Sequence, residues 1–240
     1  MATRKTGNEA HVQEEIVTPV GSNTSSRFSF DTIKDWIEDN QQIAMYIGGG
    51  LIALVALWFG YKKLIAEPNA AEAMGQMFYA ERAFERDSFD AALNGPAGGF
   101  AGFLKIIDEY GSTPSGNMAR YYAGASYLNL NKYDEAIQML EDFDADEPVF
   151  ATMKNGMLGD AYSEKKDNST ALSYYKKAAN SGDNTFLTPY YMKKYALFSE
   201  LQGDKETATK VFKDLFARYP DSPEGKNAER NLAKLGATLD

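Results

Sequence analysis

The sequence predicts an all-α fold, a single N-terminal transmembrane helix followed by a helical-hairpin solenoid, and three observations carry that expectation. A charge-free window runs from Asn40 to Tyr61 in an otherwise acidic, polar chain. Beyond Pro68 the apolar residues keep helical spacing. Small and aromatic residues then return at an interval of 35 residues, too regular for an irregular helical bundle.

Residues 1–29 are rich in Thr, Ser, Asn and Glu with few large apolar residues, a composition that does not repay the entropy of folding, so a disordered tail is expected. Its His11 has no companions for a metal site. Residues 30–42 follow as an amphipathic helix: Phe30, Ile33, Trp36 and Ile37 recur at helical spacing, with Asp31 as cap. Residues 43–63 are the expected span, since Ile43 to Tyr61 as a helix reaches roughly 28 Å, close to the hydrocarbon thickness of a bilayer. The run is longer and later than a signal-peptide core, which favours a retained anchor. Gly49, Ala53, Ala56 and Gly60 lie on one helical face, where another membrane helix can approach closely. Arg27 and Lys34 before the run balance Lys62 and Lys63 after it, so charge alone leaves the orientation open.

The chain has 240 residues, a formal net charge of −9 and no Cys. The acidic balance argues against nucleic acid, which needs clustered Lys and Arg. Without Cys there is no thiol catalysis, disulfide or acylated lipoprotein anchor. The run Glu141 to Glu147 alternates carboxylates in a calcium-like manner, but Glu147 stands where a calcium loop needs its turn glycine and Met153 where it needs the bidentate Glu. No triad can be assembled, and no carboxylate pair is marked by spacing. The expectation is a chain that is not an enzyme, with no metal, no cofactor and no small-molecule substrate.

Ala70–Arg86 reads as an amphipathic helix with Met74, Met77, Phe78 and Phe84 on its buried side. The stretch 87–99 breaks it, and Phe100–Tyr110 resumes with Phe103, Leu104, Ile106 and Ile107 inward, so 70–116 is expected to form a degenerate hairpin with Gly75 and Phe103 at its contact. Gly124, Tyr127 and Ala136 then return as Gly159, Tyr162 and Ala171. With Pro148 at the junction, these lines resemble the tetratricopeptide repeat, in which a small residue on helix A and another on helix B let the paired helices press together. Repeats are placed at 117–151, 152–188 and 189–221. The last keeps Ala208, Phe212 and Pro220 but has Ala196 and Ser199 where glycine and an aromatic are favoured, with a two-residue insertion near Gly182-Asp183-Asn184. Residues 222–240 supply a capping helix and tail, with Ser222 before Pro223 as its start.

Stacked hairpins curve, and helix A of each lines the inner surface. By the repeat register Met118, Tyr121, Ala125 and Leu128, then Met153 and Asp160, then Tyr190, Lys193, Leu197 and Leu201 face a protein-binding groove suited to extended or amphipathic polypeptide. Packing between repeats competes with that reading, least for Tyr121 and Tyr190 and more for the rest. Tyr121 and Ala125 occupy positions that a carboxylate clamp for acidic peptide ends would need, so that mode is not expected.

A polar tail, one span with an aromatic and basic flank from Trp58 to Lys63, and a repeat domain of this size together resemble the YfgM-like family of bacterial inner-membrane proteins. The resemblance implies a cytoplasmic N-terminus, a periplasmic repeat domain, and association with the Sec translocon, periplasmic chaperones and exported polypeptides. The alternative is a cell-envelope assembly scaffold, in outer-membrane biogenesis or cell division, that uses the same repeats.

Overall fold

The computed structural model describes residues 30–238; the tail 1–29, with His11, lies outside them. The chain divides into two units, one up to Ala56 and one from Leu57. No strand occurs among the described residues. In the first unit, α1 (Phe30–Asp39) is followed by α2 (Gln41–Tyr61). Asn40 marks the junction, its side-chain amide donating to the Trp36 carbonyl at 3.0 Å. Ile33, Trp36 and Ile37 are exposed along one face of α1. No residue of α2 is buried, and nothing lies within 4 Å of the Cβ that Gly49 or Gly60 would carry. This helix is long and apolar enough to cross a membrane.

Helix continues beyond the span without a loop. A π-helical turn, Lys62–Ala66, joins it to α3 (Glu67–Phe84). Pro68 would crowd the Leu64 carbonyl in a regular helix, and the wider turn immediately before it removes that clash.

α3 buries Ala73, Met77 and Ala80, whereas Met74 and Phe78, expected inside, are exposed. The Gly-rich break is shorter than expected: α4 (Phe89–Asn94) forms within it, burying Ala92 and Leu93. α5 (Phe103–Tyr110) follows, with Phe103 and Ile106 fully buried. Three regular hairpins come next, α6 (Pro114–Asn129) with α7 (Tyr133–Asp142), α8 (Pro148–Glu164) with α9 (Asn168–Asn180), and α10 (Leu187–Leu201) with α11 (Lys205–Arg218). α12 (Pro223–Lys226) and α13 (Ala228–Leu235) close the array.

One backbone device turns helix A into helix B each time. Asn131, Lys166 and Gly203 take left-handed φ of 60°, 66° and 82°, and the next N–H bonds back five residues, Lys132 to Tyr127, Asp167 to Tyr162 and Asp204 to Ser199. Asp87 (φ 56°) and the Ser88–Ala83 bond repeat the device between α3 and α4. That turn fixes the register of the first hairpin: Ala80 and Ala92, both fully buried, stand where Gly124 and Ala136 stand in the next. Gly75 and Phe103 are therefore not the contact pair. Helix B of this hairpin is interrupted by the loop 95–102 and completed by α5.

The small positions do what the repeat pattern requires. A Cβ on Gly124 would lie 2.6 Å from Leu140 Cγ, and one on Gly159 would lie 2.7 Å from the Tyr175 ring. Ala136, Ala171, Ala208 and Phe212 are fully buried. Tyr127 packs into the first core cluster, and Tyr162 stacks on Tyr174 with centroids 5.4 Å apart. Pro148 is exposed and opens α8 rather than closing α7, so each helix A starts a few residues before the boundary that the repeat register sets. Pro220 is likewise exposed, two residues after α11.

Side chains tie consecutive hairpins together. Asn117 donates to the Asp144 carbonyl and accepts from its N–H, at 2.8 and 2.9 Å. Lys154 donates to the Glu141 and Phe143 carbonyls, closing the C-terminus of α7 with a cation. The acidic run at 141–147 is thereby pinned by its backbone. In the inserted loop Asn184 Oδ1 accepts from the N–H groups of Phe186 and Leu187, both at 2.9 Å. The core falls into three clusters: one across α3 to α6, one across α9 to α13, and a smaller one of Ile137, Leu140, Leu158 and Ala161 between them.

Two alanine substitutions with opposite expected signs check this packing. A Cβ at Gly156 would lie 2.0 Å from Cζ of the buried Tyr191, so Gly156→Ala should destabilise by about 1–3 kcal/mol. Gly75 has open space around it inside a helix, so Gly75→Ala should stabilise by about 0.5–1 kcal/mol. Urea unfolding of both variants reads the two signs directly.

Candidate functional site: the concave groove

The helices named A in each hairpin place their unburied faces side by side, and a cavity of about 650 Å³ opens across three of them. Ala125 and Leu128 come from α6, Met157 and Asp160 from α8, Lys194 and Phe198 from α10. Of the residues that the repeat register assigns to the groove, Ala125, Leu128 and Asp160 line this cavity.

Two of the charges in its lining, those of Asp160 and Lys194, neutralise each other, while Glu164 lies exposed at the edge. Asp160 Oδ1 accepts from Tyr175 Oη at 2.6 Å and pairs with Lys194 Nζ. The Lys194 ammonium lies 5.2 Å from the Tyr175 centroid and 5.1 Å from that of Tyr190, so two aromatic faces and one carboxylate hold it. Burial pulls the Lys194 pKa down, but the Asp160 hydrogen bond and charge outweigh it and the net shift is upward. Tyr175 is pushed well above the ordinary phenol range by burial and then by Asp160.

The predicted groove residues separate into two groups. Tyr190, Leu197 and Leu201 share the exposed face of α10 at steps of seven and four residues, with Lys194 between them. Leu128 and Ala125 line the cavity, although Ala125 is only 8% exposed. Lys193 sits at the margin of that face, and Lys194 holds the central position instead. Met118 packs against the first core cluster rather than lining the cavity. Tyr121 is held between repeats by the rings of Phe143 and Phe150, with centroids at 5.5 and 6.1 Å, and its hydroxyl lies 3.8 Å from Met153 Sδ. Its pKa is pushed up to about 12, first by burial and then by Tyr122. Helical spacing puts Lys194 on the same face as Tyr190, but its pairing with Asp160 on another hairpin is not readable from that spacing. Phe198 gave no signal in the sequence, because the repeat pattern assigns its position to neither face.

Among the described residues no group of three or more carboxylates or His side chains is arranged to hold a metal ion.

Residues 118–148 and 194–222 match the family model of the tetratricopeptide repeat. Comparison with curated protein sequences gave no match. Among solved structures, the chain is similar to a Podosopora anserina protein assigned as a kinesin light chain with nearly identical TPR-like repeats. Their TM-score is 0.54 at 13% identity, covering 69% of this chain and 86% of that one. A variant of the same protein with one residue replaced gives the same score and identity. The ArsTM double mutant of MamA RS-1 aligns with a TM-score of 0.50 at 19% identity, over 77% of this chain and 93% of that one. Identities this low speak for the fold alone. The two matched segments carry the tetratricopeptide repeat and the solenoid around them has the same fold, one that typically serves as a scaffold for protein interaction.

The buried phenols make stability pH-dependent on the alkaline side. Tyr121, Tyr175 and Tyr191 all have folded-state pKa values raised above the unfolded value near 10. Above that pH the folded state retains protons that the unfolded chain releases. Stability should therefore hold below about pH 10 and fall as pH climbs towards 12, with Tyr121→Phe lessening the slope. Urea midpoints across this range, followed with tyrosinate absorbance, test it; a midpoint unchanged up to about pH 11 would refute it.

Proposed function

We propose that this chain is a membrane-anchored scaffold whose groove holds extended or amphipathic polypeptide at the cell envelope, as an ancillary factor of Sec-dependent protein export. The observation that carries the binding role is the exposed stripe of Tyr190, Leu197 and Leu201 on α10, in line with Lys194, which borders the cavity and whose charge is already paired with Asp160. With Lys194 so paired, the stripe makes little demand on the charge of a guest, while each of the two leucines still has apolar surface to cover, worth about 1 kcal/mol per side chain. Sequence-tolerant binding of moderate strength suits a partner that hands polypeptides on.

The anchoring role is supported by α2, a long apolar helix none of whose residues is buried among the described residues. The resemblance of the whole architecture to the YfgM-like family supports the remaining detail: an N-terminus in the cytoplasm, repeats in the periplasm, and the Sec translocon and periplasmic chaperones as neighbours. Gly49, Ala53, Ala56 and Gly60 are the face on which a channel helix would dock.

Photo-crosslinking residues at Ala53 and at Leu197 in cells test the proposal. Translocon subunits at Ala53 together with chaperones or exported chains at Leu197 are expected. Leu201→Asp, a change on the exposed face, should abolish the second set while leaving the fold and the first set intact. Outer-membrane assembly or division proteins at Leu197, with only lipid at Ala53, would replace export by envelope assembly.

A further inference from the structure

The most exposed large side chain of the repeat unit is Phe186, at 87%, on the tip of the loop that departs from the 35-residue period. Beneath it lies a second cavity, of about 630 Å³ and outside the groove floor. With Phe186, Leu187, Tyr190, Tyr219, Pro220 and Pro223 in its lining, apolar surface dominates. A volume of this size accommodates a few side chains of a peptide.

The charges around it are lopsided. Arg218 is the sole cation among the described residues that line it, and it is already engaged by Asp214 at 3.3 Å and Asp183 at 3.7 Å, with its guanidinium over the Tyr219 ring. Asp183 in turn accepts from the Tyr219 hydroxyl. Asp221 and Glu224 line the same cavity, so its lining carries one cation, already paired by carboxylates outside the lining, and two carboxylates with no ion pair of their own among the described residues. An acidic peptide would meet net repulsion here. A basic one finds carboxylates and, in Phe186, an open aromatic face for an ammonium or guanidinium.

We infer that this cleft, lined by Phe186, Asp221 and Glu224 between the inserted loop and the capping helix, is a second docking site that takes polypeptide segments pairing a bulky apolar residue with lysine or arginine. The apolar residue enters over Leu187, Tyr219 and the two prolines. Its basic neighbour pairs with Asp221 and Glu224 and lies against Phe186.

The test is fluorescence anisotropy of the full chain in nonionic detergent, with short labelled peptides that alternate leucine with lysine or leucine with glutamate, and a detergent-only blank. The leucine–lysine peptide should bind at least about tenfold more tightly than the leucine–glutamate peptide. Phe186→Ala, a change at an exposed position, should weaken it about tenfold, as should Asp221→Lys combined with Glu224→Lys, while Leu201→Asp in the groove leaves it unchanged. Equal affinity for both peptides, or indifference to Phe186→Ala, overturns the inference. So does loss of binding with Leu201→Asp alone, which assigns the peptide to the groove. Sedimentation that shows self-association abolished by Phe186→Ala gives the cleft to a second copy of the chain and also overturns it.

Discussion

The close approach of two helices at a pair of small residues is the constraint on which the repeat unit rests. Ala80, Gly124, Gly159 and Ala196 on the first helix of each hairpin, and Ala92, Ala136, Ala171 and Ala208 on the second, hold the backbones near enough for Leu140 or Tyr175 to fill the gap. Because the inner faces are committed to this contact, the outer face of each first helix is released from packing. That release is what creates the groove. It also explains why the groove residues differ from hairpin to hairpin while the contact residues do not: Ala125, Asp160 and Leu197 occupy equivalent places with unrelated chemistry.

The period and the contact pairs were legible because they are repeated, and repetition separates a packing residue from a chance one. Where the period lapses, local pattern misleads. Gly75 attracts attention as a glycine in a helix, yet the left-handed turn at Asp87 shows that alanines carry the contact in that hairpin. Met74 and Phe78 satisfy an amphipathic pattern but lie on the side of α3 that no later helix covers. Which side a lone helix buries is decided by its neighbours, and the sequence of one helix does not contain them.

The groove was legible as a surface and less so as a set of side chains. Register assigns Tyr121 to it, but whether a large ring points outwards or bridges to the next hairpin depends on what the next hairpin offers, here Phe143 and Phe150. Lys194 owes its central place to Asp160, a partner 34 residues away. Contacts across hairpins of this kind leave no trace in spacing.

The division of the core into two large clusters with a small one between them makes the array mechanically uneven. In a linear stack each unit is held only by its neighbours, so stiffness varies along the axis with the apolar surface shared at each joint. The joint between α7 and α8 shares the least: Ile137, Leu140, Leu158 and Ala161, with Leu128 and Met157 at its margin. Those marginal residues also line the groove. A guest that spans α6 and α8 therefore bridges the array where the buried cluster is smallest and where the rings of Tyr121, Phe143 and Phe150 and the hydrogen bonds of Asn117 and Lys154 supply the remaining hold.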